Sequence, residues 1–327
     1  MRFKVILFLI MLFAVCVLSC GADEAENVRL LVQRAEQGVA SAQNNLALMY
    51  AEGKGVGQDY AKAFQWFSRA AVQGLSEAQY NLGHMYDLGE GVGQDYEKAL
   101  QWYTKAAEQG NAKAQNMLGL MYYNGKGIMQ DYNKAYQWFM KAAEQGHVLA
   151  QCNLALMYDD GKGVEQDHNK AFQWYAKAAE QGVAEAQYNV GNMYYNGQGI
   201  AQDQNKAFEW FIKAAEQGFA EAQYNVGLMY AEGKGAAQDY IKAFEWYLKA
   251  AEQGLSQAKY SLGVMYYHGQ GVIPQNYVYA YMWVSMASAQ GNEDGGELYD
   301  LLIKKMTVEQ IAEGQRMAEE WQRKHSL

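Results

Sequence analysis

The sequence predicts an all-α protein: an α/α right-handed superhelical solenoid of seven 36-residue helix-turn-helix repeats with N- and C-terminal helical caps. Three observations predict it. Gln-Gly recurs at Gly38, Gly74, Gly110, Gly146, Gly182, Gly218 and Gly254, each 36 residues apart, and at Gly291, one later because Ile273-Pro274 lengthens the last loop. Tryptophan keeps the same beat at Trp66, Trp102, Trp138, Trp174, Trp210, Trp246 and Trp283. Between these marks the apolar residues fall at helical spacing, and most of the 33 glycines sit in register with the period, so none of this is a flexible linker.

The chain opens on an address. Arg2 and Lys4 precede an unbroken apolar run from Val5 to Leu18, shorter than the ~20 residues of a membrane span and fitting the charged and apolar parts of a signal peptide, residues 1–20. Export to the periplasm, outer membrane or cell surface follows as an expectation. Two processing routes stay open. Val17-Leu18-Ser19-Cys20 resembles the lipobox of bacterial lipoproteins, which would make Cys20 the lipidated first residue; Cys20-Gly21-Ala22 is also a small-residue site for ordinary cleavage. Residues 21–38 then form half a unit. Leu30 stands at the tryptophan position and Ala35-Glu36-Gln37-Gly38 matches the usual ending, so one cap helix closes the first stack.

Seven units follow over 39–291: 39–74, 75–110, 111–146, 147–182, 183–218, 219–254 and 255–291. Each reads as two helices, A and B. In the second unit Ala78, Leu82, Met85 and Tyr86 share a helical face, and Gly89-Glu90-Gly91 supplies the left-handed residues that stop helix A. Asp95 stands where an N-cap belongs, and Asp59, Asp131, Asp167, Asp203 and Asp239 repeat it, so helix B starts there. Ala99, Trp102, Tyr103, Ala106 and Ala107 make its apolar stripe, with the large indole expected deep in the packing between small alanines. A helix pair this short cannot bury its own core, so neighbours must stack.

Outward positions of helix B are polar (Gln101, Lys105, Glu108), but in the last unit they become Met282, Met286 and Ala289 and need a cover. Residues 292–327 supply one. Leu298, Leu301 and Leu302 lie in a first cap helix near 293–304; Thr307-x-x-Gln310 is a capping-box pattern opening a second, near 308–324, that carries Ile311, Met317, Ala318 and Trp321.

Ala78-Gln79-x-x-Leu82-Gly83-x-x-Tyr86, Gly89-x-Gly91, Asp95, Lys98-Ala99, Trp102 and Ala106-Ala107-x-Gln109-Gly110 resemble the Sel-1-like repeat family, a relative of the tetratricopeptide repeats whose own period is 34. The resemblance runs seven times over 39–291. It implies a superhelix that binds proteins and, in exported bacterial members, a role in envelope scaffolding, regulation or host contact. A cysteine-rich secreted branch of the family bridges helix A to helix B; this chain lacks those cysteines.

On a helical wheel three positions of helix A lie opposite the recurring residues and vary from unit to unit: Asn44/Leu48/Ala51, Tyr80/His84/Asp87, Asn116/Leu120/Tyr123, Cys152/Leu156/Asp159, Tyr188/Asn192/Tyr195, Tyr224/Leu228/Ala231 and Tyr260/Val264/Tyr267. In stacked helix pairs this face lines the concave surface. A variable, tyrosine-rich lining with scattered carboxylates and amides suits a protein or peptide partner, because tyrosine offers large contact area at low entropy cost. The same tyrosines also suit a second task, sealing each helix A against the next.

Other function classes fare worse. With 27 Lys+Arg against 36 Asp+Glu, a formal charge of −9 and no basic stripe, nucleic acid is not an expected partner, and a membrane is expected only through the lipid on Cys20. Ser256-x-x-Lys259 matches a Ser-x-x-Lys nucleophile motif, yet the Ser-Asp-Asn and Lys-Thr-Gly elements it requires are absent and Lys259 merely replaces a recurrent glutamine. The Gly-x-Gly loops follow no strand and precede no Lys-Ser/Thr, so they are not phosphate cradles. His84, His147, His168, His268 and His325 have no neighbours at metal-ligand spacing; Asp159-Asp160 reads as a solvated helix end before a weak cation site. Cys152 reads as a small buried residue, or as a reactive thiol if exposed. The expectation is a non-enzymatic scaffold without cofactor or metal; an envelope-modifying hydrolase or enzyme-regulating subunit is the alternative.

Overall fold

The computed structural model describes residues 26–271 and 273–325, and among these every regular element is helical. The signal segment and Cys20 lie outside the described residues. A helix over 26–36, α1, is followed by seven pairs: α2 (Ala40–Glu52) with α3 (Tyr60–Val72), α4 (Ser76–Leu88) with α5 (Tyr96–Glu108), α6 (Ala112–Asn124) with α7 (Tyr132–Glu144), α8 (Val148–Asp160) with α9 (His168–Glu180), α10 (Ala184–Asn196) with α11 (Gln204–Glu216), α12 (Ala220–Glu232) with α13 (Tyr240–Glu252), and α14 (Ser256–His268) with α15 (Tyr277–Ala289). Then come α16 (Glu293–Lys305) and α17 (Val308–His325). The chain divides into two compact units, one reaching Met157 and including Gly161–Glu165, the other holding Tyr158–Asp160 and everything from Gln166 on. Within the units consecutive helices pack on one another from α2 to α7 and from α9 to α15, the pattern of a solenoid, and α16 and α17 both pack on α15.

Local chemistry sets the helix ends. Gly89 stops α4 at φ 77°, and a Cβ on Gly91 would overlap the Tyr60 carbonyl of the preceding repeat, so only glycine lets the loop approach that close. The Asp95 amide donates back to the Tyr86 carbonyl at 2.8 Å, and its carboxylate accepts from the Lys98 amide at 2.9 Å. The bond from the Lys98 amide, then the one from the Lys98 side chain, holds the Asp95 carboxyl below its usual range. Lys98 completes the turn, with its ammonium 3.0 Å from Asp95 and 5.4 Å from the centre of the Tyr86 ring. In the seventh repeat Asn276 does the capping, and Tyr279, at the lysine position, stacks on Tyr266 at 5.0 Å.

The core lies as much between repeats as within them. Ala99, Tyr103, Ala106 and Ala107 of α5 bury themselves with Ala114, Leu118 and Met121 of α6. Here the structure corrects the expectation for tryptophan. Trp138 is only half-buried, with the Lys141 ammonium 4.3 Å from its ring centre, whereas the next residue, Phe139, is fully buried. The reason is helical phase: one step of 100° moves the side chain from the margin of the stripe to its middle. That middle residue also explains the mid-helix glycines. A Cβ on Gly83 would come within 2.8 Å of the Tyr103 ring, and Gly119, Gly191 and Gly227 face Phe139, Phe211 and Tyr247 in the same way.

A glutamine ladder ties repeat to repeat. Buried Gln79 donates to the Ala71 carbonyl at the end of α3 (3.1 Å) and accepts from Gln109 (2.7 Å); Gln43, Gln115, Gln187 and Gln223 repeat the arrangement. A carbonyl in the last turn of helix B, already accepting from the amide of the closing glycine, thereby takes a second bond from the following helix A.

The ends differ. Leu30 of α1 is 53% exposed, while Ala35 is buried and accepts from Gln43. At the other end Thr307 and Gln310 exchange the two bonds of a capping box (3.0 and 3.3 Å). From there α17 lies on α15, and Met317, Ala318 and Trp321 cover Met282, Trp283 and Met286. Ala289, expected beneath that cover, is exposed, and Leu301, expected to cover α15, points away from it.

Phe139→Ala is expected to cost about 3–5 kcal/mol by cavity formation. Trp138→Ala should cost less, about 1–2 kcal/mol for partial burial. Urea denaturation of the two variants side by side checks the order, and equal losses would mean that both aromatics are core.

Candidate functional site

The three variable positions of helix A do three different things. Tyrosines at the leading position lean on their own helix B: Tyr80 on Tyr103 (5.8 Å between ring centres), Tyr188 on Phe211 (5.8 Å) and Tyr224 on Tyr247 (5.6 Å). They are half-buried, and burial, before any neighbouring charge, pushes the phenols of Tyr80, Tyr224 and Tyr260 up. Asn44 and Asn116, at the same position, are buried and accept from Asn81 and Asn153 (3.1 Å each); Cys152 is half-buried. These side chains therefore seal the stack as well as line its surface.

The trailing position is used inside the chain. Asp87, 4% exposed, pairs with the Lys126 ammonium at 2.6 Å, and Lys126 comes from the Gly-x-Gly loop of the next repeat. The same step of 39 residues joins Tyr123 to Lys162 (3.1 Å) and Asp159 to Gln198 (3.2 Å), and sets the Lys234 ammonium 5.9 Å from the Tyr195 ring centre. His168 adds a 2.7 Å bond to Asp159. Tyr267, last in the row, receives Lys305 of α16 at 2.6 Å. Variation here is thus matched between neighbouring repeats. Sequence reading missed the loop partners because each was compared with its equivalents in other repeats; scanning for complementary pairs 39 residues apart finds them.

The middle position is mostly left without an internal polar partner and keeps surface open. Leu156 is 40% exposed, and His84, Leu120, Leu228 and Val264 are half-exposed; Asn192 accepts a long bond from Asn225 (3.5 Å). Two grooves border this row. One of about 710 Å³, near the N-terminal ends of α4, α6 and α8, is lined by Asn44, Leu48, Tyr80, Lys113 and His147 among others. Burial, then the charge of Lys113, holds the His147 imidazole below its usual value, and its Nδ1 caps α8. The second, about 560 Å³, lies between α14 and α16. It extends the row by one rung, since Glu297, Leu301 and Lys304 stand 37 residues after Tyr260, Val264 and Tyr267. Continuing the period past the last Gln-Gly would have found them.

The residues of the Ser-x-x-Lys motif take separate partners. Ser256 Oγ donates to its neighbour Gln257 (3.2 Å), whereas buried Lys259 donates to Gln290 (3.1 Å) and sits 5.4 Å from the Trp321 ring centre. Lys259 stands in the glutamine ladder as its last member. Among the described residues no group of three His, Cys, Asp or Glu is placed to hold a metal ion, and no helix is long and apolar enough to cross a membrane.

Two expectations follow. Lys126→Ala leaves the Asp87 carboxylate buried without its cation and should cost about 1–3 kcal/mol, whereas Lys54→Ala, which breaks an exposed pair with Glu52, should cost under about 1 kcal/mol. Thermal melts compare them. Burial holds the Lys259 ammonium below its ordinary 10.5, so the folded chain binds that proton less tightly than the unfolded chain. The resulting cost is full below the folded pKa and fades as pH rises towards the unfolded value. Lys259→Gln should then stabilise by about 1 kcal/mol at neutral pH, with the gain shrinking on the alkaline side; an unchanged or lower midpoint at pH 7 would contradict this.

The Sel1 repeat pattern matches residues 40–75, 76–111, 112–147, 148–183, 184–219, 220–255 and 256–292. Among solved structures, a Sel1 repeat protein from Oxalobacter formigenes is 39% identical, covering 86% of this chain and 81% of its own, with a TM-score of 0.66. A protective antigen present in uropathogenic Escherichia coli strains, displaying an SLR fold, is 33% identical over 92% of this chain and 80% of its own, with a TM-score of 0.45. No curated protein matches the chain. Seven successive matches, built on the same glycine, alanine and aromatic positions that form the packing, place this chain in the Sel1 repeat family, whose members are generally protein-interaction scaffolds.

Proposed function

We propose that this chain is a non-enzymatic protein–protein interaction scaffold of the bacterial envelope or cell surface, taking a protein or peptide partner on its helix-A row. The carrying observation is the open middle position: after the leading tyrosines have sealed the stack and the trailing residues have paired internally, His84, Leu120, Leu156, Leu228 and Val264 retain exposed surface between them. Half-buried tyrosines beside them, Tyr188, Tyr195, Tyr224 and Tyr260, add rigid contact area already ordered by their packing. Polar helix-B positions such as Gln101 and Lys105 leave the opposite side solvated. Residues 1–20 supply export and Cys20 a lipid anchor, ahead of a cap helix over 21–38, the repeats over 39–291 and the caps over 292–327. Separation of Ser256 from Lys259 supports the non-enzymatic reading.

A photo-crosslinking residue at Leu156 or Asn192 should capture a partner in envelope preparations, and one at Gln101 or Gln173 on helix B should not; capture from helix B alone would move the binding face. Intact mass of the exported protein should show Cys20 as a lipid-bearing first residue, and Cys20→Ser should abolish that mass; a mature form starting elsewhere without lipid would remove the anchor.

A further inference from the structure

Building on the scaffold reading, we propose that the groove between α14 and α16 binds a cationic segment of a partner protein, an Arg or Lys side chain lying over Tyr260 and an adjacent apolar side chain resting on Val264 and Leu301. The groove holds about 560 Å³ and has an aromatic and aliphatic floor. Leu301, 41% exposed, contributes apolar surface in a helix whose buried residues, Gly295 and Leu302, face elsewhere. Above that floor stand Asp294, Glu297 and Asp300 on the α16 wall.

Charge decides the occupant. At the variable positions of helix A the two acids are bonded within the chain, Asp87 by the Lys126 ammonium and Asp159 by His168 and Gln198. Among the described residues no ion pair forms at Asp294, Glu297 or Asp300, and Lys304, the lysine in the same wall, pairs with none of them. Both Asp294 and Glu297 act on the Tyr260 phenol, raising its pKa further after burial has done so, which places their negative field across the floor. A cation entering there gains the attraction of three carboxylates and the face of an aromatic ring without displacing an internal partner. An acidic or purely apolar segment gains neither. The groove also ends the row: α17 packs on α15, leaving this wall of α16 uncovered by the chain itself.

The probe is a dye-labelled peptide of alternating arginine and leucine, titrated against the purified full-length chain by fluorescence anisotropy, beside its glutamate–leucine and arginine–glycine counterparts. The arginine–leucine peptide should bind, weaken as salt is raised, and exceed both counterparts by about tenfold or more. Asp294→Asn/Glu297→Gln/Asp300→Asn should lose about tenfold in affinity with an unchanged melting point, and Leu301→Arg, an exposed position, should do the same. Removing three carboxylates from the helix-B side (Glu108→Gln/Glu144→Gln/Glu216→Gln) should leave binding intact. Equal losses in that control would assign the attraction to net charge, and wild-type affinity in both groove variants, or arginine–glycine binding as tightly as arginine–leucine, would likewise overturn the proposal. Crosslinks at Leu156 with no peptide binding at α16 would sink the cationic groove and leave the scaffold reading standing; groove binding with crosslinks from helix B alone would do the reverse.

Discussion

Everything in this molecule depends on one repeat burying the exposed side of the one before it. Two thirteen-residue helices have too little surface to form a core alone, so the aromatic in the middle of helix B is enclosed by its own helix A and by the next one together. Close approach sets the composition. Alanines line helix B, a glycine opposes the large ring in the second, third, fifth and sixth repeats, and a second glycine lets the loops of the second to sixth repeats reach the backbone of the preceding repeat. The buried glutamines do for the polar groups what the aromatics do for the apolar ones, since each joins a carbonyl at the end of one repeat's helix B to the helix A of the next.

That dependence also sorts variation into kinds. A position may vary because a partner differs from rung to rung, or because the neighbouring repeat varies with it. Asp87 with Lys126, Tyr123 with Lys162 and Asp159 with Gln198 are of the second kind, and they give neighbouring repeats an individual fit that the invariant ladder cannot supply. Under the proposed reading the first kind falls to the middle positions and to the last groove, where Asp294, Glu297 and Asp300 form no ion pair among the described residues. The proposed recognition therefore falls on what internal pairing does not consume.

The terminal helices show the same constraint from the other side. Where the array stops, the outward face of α15 is apolar and α17 closes it, leaving α16 without the helix B it would have in a full repeat. An acid, Asp300, occupies the place in α16 where α14 has Gly263, so the ring-on-glycine contact of a complete repeat cannot form there.

Much of this was legible in the residues themselves. Period, helix ends, aspartate caps and the capping box at Thr307 are short-range features, each decided by backbone geometry within a few residues, and so they can be read in order along the chain. Tryptophan misled because conspicuous recurrence is not depth: Trp138 and Phe139 differ by a single helical step, and only packing against the following repeat decides which of them is enclosed. The variable face was legible only in part for a related reason, since a side chain's partner 39 residues away becomes visible only when the repeats are stacked. Sequence alone therefore determined the repeat, its helices and its family; tertiary structure decided which residues are core, which are paired and which remain open, because burial belongs to neighbours in space rather than to any one segment.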